Sequence, residues 1–482
     1  SLRYTTSCRT CTSGTATTGH RRFLESEVIP TMTSIHSPMR SLIGTVCTCL
    51  LLVGVSACTT LPSRLSSLPE YSAPRPVTTM KVPYPIVLLH GLGQKADVWN
   101  GAATKYFTND LGLSFGGVLK VEKGKILSKG AGGGDADFYV VNFSDPHDSI
   151  DAWSSELDVC MKHILAETGA DRAIIIGYSM GGLAARSYLT KRYTDHRVKR
   201  LITVGTPHLG SPFARVWTWK TQLSACAANG NVIVSTACSA ALSAIQGTEG
   251  DVPYNAPAVR DLRRPEDGGV YLQRLGKLAH PLDVEYVSVV GEVDMVDGAQ
   301  RLTEGWIQEL LRKVLSVAGG GFAAVFEPGD GVVSAKSQNI MNIEYFTVDQ
   351  HRRRAGRVVT VPSVHVEHLQ SSIEVQRIAL EEKPEYRGSS VVRVGDSPYF
   401  VLDITDHIPT LCTLDLTAIL NNGTSMSIPT ASAKPVLVRT RDGIVARYVI
   451  ALPESCIVSP KVILKYRVTN GFGYTVSGSA EW

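Results

Sequence analysis

This chain has little charge of one sign. Its 482 residues carry 48 Lys and Arg against 44 Asp and Glu, a formal net charge of +4. Without residues 1–57, 43 basic side chains face 42 acidic ones. A balance that close gives no basis for nucleic-acid binding. Clustered metal ligands are also lacking. No Cys/His group has the spacing of a zinc site, so no metal is expected. Long apolar runs are missing too. The uncharged stretch from Ser41 to Ala57 is too short for a membrane-spanning helix.

What the chain does have is concentrated at Ala173-Ile-Ile-Ile-Gly-Tyr-Ser-Met-Gly-Gly182. The three isoleucines read as a fully buried strand. Gly177-Tyr-Ser179-Met-Gly181 then fits G-x-S-x-G, and Leu183 to Leu189 continues as a helix. That strand–turn–helix context is what a nucleophile elbow requires. A serine on so tight a turn would collide with side chains two positions away. Glycines at 177 and 181 remove the collision, and Gly182 lets the helix lie close to the strand. Ser179 is therefore the candidate nucleophile.

A second strand, Pro85-Ile-Val-Leu-Leu, ends in His90-Gly-Leu-Gly93. A tetrahedral intermediate carries an oxyanion that needs preorganised N–H donors. The backbone N–H of Met180 is one expected donor and that of Leu92 the other. His90 is expected to be structural, because the histidine of such a site comes late in the chain. Further strands read at Ala136–Asn142, Arg200–Gly205 and Val284–Val290, with helical spacing over 151–169. Alternating strands and helices predict a parallel sheet covered on both faces.

With these marks the chain resembles bacterial lipases of the α/β-hydrolase superfamily. The resemblance rests on His90-Gly-Leu-Gly93, Gly177 to Gly182, Thr206-Pro-His-Leu-Gly-Ser211 and Gly329-Asp-Gly-Val-Val-Ser334, and covers about residues 80–380. It implies an α/β class fold with a mostly parallel sheet and a cap insertion. It also implies a Ser–Asp–His triad in that chain order. Asp330, in the Gly-Asp-Gly-Val-Val segment, is the preferred acid and Asp294, after the strand ending at Val290, the alternative. Either aspartate also suits a turn that its own carboxylate closes. His365 is the preferred base, with Leu369 four residues on and Ser371 and Ser372 beyond; His368 is the alternative.

About 80 residues separate the strand ending at Gly205 from the one starting at Val284, far more than a βα connection. A cap is expected at about 211–283. Its Trp217, Trp219, Leu223 and Ile245 either line an acyl pocket or simply pack the cap. Asn255 to Leu262 resembles a segment that follows the nucleophile in lipases.

Met39 to Cys58 reads as a signal peptide, and Val55-Ser-Ala-Cys58 resembles the lipobox of bacterial lipoproteins. That implies lipidation of Cys58 and a lipid-anchored place in the bacterial cell envelope. Residues 1–38 fit no such role, and Met32 or Met39 is the expected start. The domain reading is a leader over 1–57, a Ser/Pro/Thr-rich tether over 58–79, the catalytic domain over 80–387 and a further domain over 388–482. Six or seven short β-type runs in that last part suggest a β-sandwich. In an oxidising compartment Cys226–Cys238 and Cys412–Cys456 are candidate disulfides, while Cys160 is expected to be buried and inert. The expected function is serine carboxylic-ester hydrolysis on lipid or other acyl esters, through an acyl-enzyme and without a cofactor. The alternatives are an acyltransferase and a non-catalytic lipid-binding envelope protein.

Overall fold

A computed structural model describes residues 63–74, 76, 80–129, 136–211, 214, 253, 255–293, 328–365 and 369–482. Asp294, His368, Cys58, most of the expected cap, and Cys226 and Cys238 lie outside the described residues.

The centre is an eight-stranded sheet in the order β3-β2-β4-β1-β5-β6-β7-β8. In chain order the strands are β1 (Ile86–Leu89), β2 (Phe115–Glu122), β3 (Lys125–Lys129), β4 (Phe138–Val141), β5 (Ala173–Tyr178), β6 (Val198–Val204), β7 (Glu285–Gly291) and β8 (Gly356–Val361). Only the β2–β3 pair is antiparallel. This is the α/β-hydrolase fold with its mostly parallel sheet.

The three isoleucines of β5 explain its central place. Ile175 packs into the apolar layer on one face, while Ile174 and Ile176 pack into the layer on the other. A strand buried on both faces has no polar side, so it reads as a continuous apolar run. The first layer includes Trp153, Leu157, Cys160, Met161 and Ile164 of helix α1 (Ile150–Thr168). Ser149 caps α1 by accepting from the Ala152 N–H at 3.2 Å, and Gly169 ends it at φ 67°. Cys160 is buried there as expected, and burial pushes its thiol up to about 12. Helix α2 (Met180–Lys191) follows β5. After β6 come α3 (Pro257–Asp261) and α4 (Tyr271–Lys277), then, after β7, α5 (Ala335–Gln338). Helix α6 (Ile373–Leu380) covers the opposite face.

Strands β2 and β3 have no counterpart in the sequence expectations. Gly116 and Gly117 interrupt β2, and β3 shares the polar sequence of its hairpin partner's end. Neither has the apolar run that makes β5 legible.

The C-terminal part is a β-sandwich of two antiparallel four-stranded sheets. One has the order β13-β14-β10-β9, the other β12-β11-β15-β16. The strands are β9 (Glu385–Val394), β10 (Ser397–Thr405), β11 (Thr413–Leu420), β12 (Ser425–Ile428), β13 (Val436–Thr440), β14 (Gly443–Ala451), β15 (Val462–Thr469) and β16 (Thr475–Glu481). Eight strands stand where six or seven were expected, and β9 begins three residues before Gly388. No disulfide joins Cys412 to Cys456, which corrects that expectation. The Cys412 thiol instead faces the Ile408 carbonyl at 4.0 Å, and Cys456 is buried in the sandwich core.

Several contacts tie the parts together. Arg200 of β6 is buried, and its guanidinium donates to the carbonyls of Ile378, Ala379 and Glu381 at 3.0, 3.0 and 3.2 Å and reaches His407 Nδ1, just after β10, at 3.3 Å. Ile408, after β10, packs into the same apolar layer of the hydrolase core as Leu380. Part of the expected tether is also docked. Tyr71 N–H donates to Arg393 O and Arg393 N–H to Pro69 O, so this short segment pairs with edge strand β9. An open edge offers unpaired backbone groups, and the tether satisfies some of them.

Candidate active site

The elbow is built as its glycines require. Ser179 has φ 49° and ψ −120°, a left-handed conformation that costs a non-glycine residue about 1–3 kcal/mol. Its N–H donates to Val204 O at 2.7 Å, which holds the turn against β6. A Cβ on Gly182 would lie 2.1 Å from Thr206 Oγ1, and one on Gly177 2.6 Å from the Gly182 backbone. The helix thus approaches the sheet as closely as backbone allows. Ser179 stands at its N-terminus.

The structure brings Ser179, His365 and Asp330 together. His365 Nε2 is 3.1 Å from Ser179 Oγ, and His365 Nδ1 is 2.7 Å from Asp330 Oδ2. Asp330 is fully buried. Its other oxygen accepts from the N–H groups of Val332 and Val333 at 3.0 and 2.7 Å. The two readings of this aspartate are therefore compatible: one oxygen closes the turn and the other faces the histidine. His365 is held at both backbone ends. Its N–H donates to Asp330 O at 2.9 Å, and its carbonyl accepts from Tyr178 OH. Leu369 is buried beneath it, against Gly205.

The loop after β1 runs beside the nucleophile: a Cβ on Gly91 would be 3.1 Å from Ser179 Cβ. Met180 is the first residue of α2, so its N–H has no partner within the helix. Among the described residues no acceptor is taken by the N–H of Leu92 or of Met180. His90 lies below this loop, not in it. It accepts from Phe143 N–H at Nε2 (3.1 Å), so its proton is on Nδ1, which donates to Gly91 O at 2.9 Å. Packed edge-on against Phe143 and Trp153, it is fully buried, and burial pushes its imidazole down to about 4. A neutral ring that fixes the Gly91 carbonyl positions the loop and takes no part in proton transfer.

Sequence reasoning missed Gln338. Its side chain accepts from Gly291 N–H at 2.7 Å and donates to Gly291 O and Val333 O at 3.1 and 2.8 Å. It clamps the end of β7 to the turn that carries Asp330. No motif marks a glutamine that acts through backbone contacts alone. Among the described residues no group of three or more His, Cys, Asp or Glu side chains is arranged to hold a metal ion.

The fold and this constellation define an α/β-hydrolase fold with a serine–histidine–aspartate arrangement at the strand ends. Residues 84–222 match the family model described as alpha/beta hydrolase fold. Over 133 residues the chain is 32% identical to triacylglycerol lipases of Pseudarthrobacter phenanthrenivorans and Burkholderia plantarii, 27% of this chain in each case. The match spans 35% and 31% of those two proteins, about a third of each. Among solved structures, a gene product of Listeria innocua aligns over 61% of this chain and 92% of its own at 16% identity, with a TM-score of 0.37. A mature Bacillus licheniformis lipase aligns over 62% and 90% at 18% identity, with a TM-score of 0.35.

Proposed function

We propose that this protein is a serine carboxylic-ester hydrolase of the lipase/esterase type. The observation that carries the reading is the continuous relay from Ser179 Oγ through His365 to Asp330 Oδ2, at 3.1 and 2.7 Å. Ser179 Oγ attacks the ester carbonyl while His365 Nε2 takes its proton. Asp330 keeps the second proton of the ring on Nδ1 and stabilises the imidazolium. The N–H groups of Leu92 and Met180 receive the oxyanion. The histidine then protonates the departing alcohol, leaving an acyl group on Ser179. Water, activated by the same imidazole, releases the acid.

Ser179→Ala is expected to abolish both hydrolysis of a chromogenic ester and labelling by a fluorophosphonate, with an unchanged far-UV circular dichroism spectrum. Labelling that persists in this variant removes Ser179 from the mechanism. The place of action is part of the same proposal: an exported enzyme held at the bacterial envelope by a lipidated Cys58, supported by the Val55-Ser-Ala-Cys58 pattern. Cys58→Ser should release the protein from membranes. Equal membrane fractions for both forms, with no acyl mass on the wild type, reject the anchor.

A further inference from the structure

Helices α3 and α4 and the turn between them wall a cavity of about 590 Å³ that contains no member of the hydrolytic relay. Four of its lining side chains are cationic, Arg260, Arg263, Arg274 and Lys277, against one carboxylate, Asp261. In a chain whose charges nearly balance, this is a local surplus of positive charge. The surplus is poorly paired. Arg260, Arg274 and Lys277 face Asp261, Asp151 and Glu344 at 3.8, 3.8 and 3.7 Å, beyond hydrogen-bond reach. Arg263 is half-buried, has no ion pair among the described residues, and leaves its Nε without a partner. By contrast, Arg447 in the sandwich grips Asp403 with two hydrogen bonds at 2.7 and 2.6 Å.

The two carboxylates nearest the cavity are already engaged. Asp261 Oδ2 accepts from the Ile150 N–H at the start of α1 at 3.1 Å. Asp151 Oδ1 accepts from Tyr271 OH at 2.7 Å and lies 2.8 Å from Lys191 Nζ of α2. These same bonds fix α3 and α4 to the helices behind them. The turn between α3 and α4 is also closed. Gly268 and Gly269 N–H donate to Pro265 O and Arg264 O at 3.0 and 2.9 Å. A Cβ on Gly269 would lie 2.0 Å from Arg263 O, so the chain can pass there only as glycine. Walls held in place before a ligand arrives reduce the entropy lost on binding.

We propose that this cavity binds a phosphate group, free or carried on a lipid headgroup. Three guanidinium forks match the oxygens of a phosphate, which accepts paired N–H donors on several sides. A carboxylate brings one charge and would leave most of the surplus unpaired, whereas a phosphate monoester brings about two at neutral pH. The volume lies within the range of small-molecule sites, about 300–1,000 Å³, so it also admits part of the molecule that carries the phosphate.

The test uses the full chain carrying Cys58→Ser, so that no lipid anchor contributes. Inorganic phosphate, compared with chloride at equal ionic strength, should raise Tm saturably by about 2 °C. The second probe is a vesicle of ether-linked phosphatidylcholine, which an esterase cannot cleave, with or without ether-linked phosphatidic acid. Retention that requires phosphatidic acid and is competed by inorganic phosphate assigns the headgroup; a Tm rise without such retention assigns free phosphate. Arg263→Gln with Arg274→Gln should abolish whichever effect is seen while ester hydrolysis stays at the parent level. Arg260→Gln with Lys277→Gln, on exposed side chains, decides the matter should the first pair fail to fold. Arg353→Gln with Arg354→Gln removes two exposed charges outside the cavity and should change nothing. Neither effect in the parent chain, an effect that survives in the cavity variants, or an equal loss in the Arg353 and Arg354 variant overturns the site.

Discussion

At the scale of single residues, three fully buried histidines give a directional prediction. Burial pushes His90 down to about 4. Burial, then the charge of buried Arg186, which reaches their ring nitrogens at 3.1 and 3.3 Å, pushes His280 down to about 3 and His208 well below its ordinary range. Each is neutral in the folded protein and takes up a proton near pH 6.5 when unfolded. Between pH 6.5 and about 4 the unfolded chain therefore binds more protons, and stability falls as pH falls. Each histidine contributes a slope of up to about 1.4 kcal/mol per pH unit. His90→Gln, whose amide oxygen can still accept from Phe143 N–H, should reduce the slope by close to one proton. Urea titrations at several pH values measure it, and an unchanged slope would refute the neutral, buried assignment. Residue identities at the site were legible because elbow chemistry needs glycines at fixed spacing. Gln338 and Arg186 were not, because their partners are backbone atoms and histidines far away in sequence.

At the scale of elements, the site depends on how closely strands, helix and loops approach one another. Gly205, at the end of β6, has φ +58°. A Cβ there would lie 2.9 Å from His365 Nδ1 and 2.7 Å from Leu369 Cδ2. Gly205→Ala should displace the imidazole from Asp330 and lower kcat by about 100-fold. The protein should still fold, with a loss of about 1–3 kcal/mol from the positive φ. Steady-state kinetics beside thermal unfolding checks this; full kcat in a folded variant would show that the imidazole adjusts freely. The spacing of His365 to Leu369, read from sequence alone, has its physical cause here. Leu369 fills the space under the glycine, so the ring has one place to sit. Buried strands β1 and β5 announced themselves by apolar runs, and helix α1 by its apolar spacing. The β2–β3 hairpin did not, since an edge hairpin with glycine and lysine lacks both signals.

At the scale of the whole molecule, the sandwich and the hydrolase domain share structure. Arg200 joins three carbonyls at the end of α6 to His407, just after β10, and Ile408 completes an apolar layer of the hydrolase domain. Removing a buried, multiply bonded charge from such a place costs about 3–5 kcal/mol. Arg200→Met should therefore lower Tm and divide a single calorimetric transition into two, one for each part. One undivided transition at the wild-type temperature would mean that the contact does not couple them. The composition shift near Gly388 revealed that a β-domain exists. Its strand pairing, and the pairing of Leu68–Tyr71 with β9, are long-range contacts with no local signature.

By itself, the sequence determined the elements whose physics is local. Continuous apolar runs set the buried strands, helical apolar spacing set α1, and glycine spacing set the elbow at Ser179. Chain order and short motifs also ranked Asp330 and His365 above their rivals. Tertiary structure alone decided that Asp330 serves the turn and the histidine at once, that His90 positions a loop, that Cys412 and Cys456 stay unbridged, and that Arg186 is buried without a counter-charge among the described residues. Each of these depends on which distant groups share a few ångströms, and packing fixes that only when the whole chain has folded.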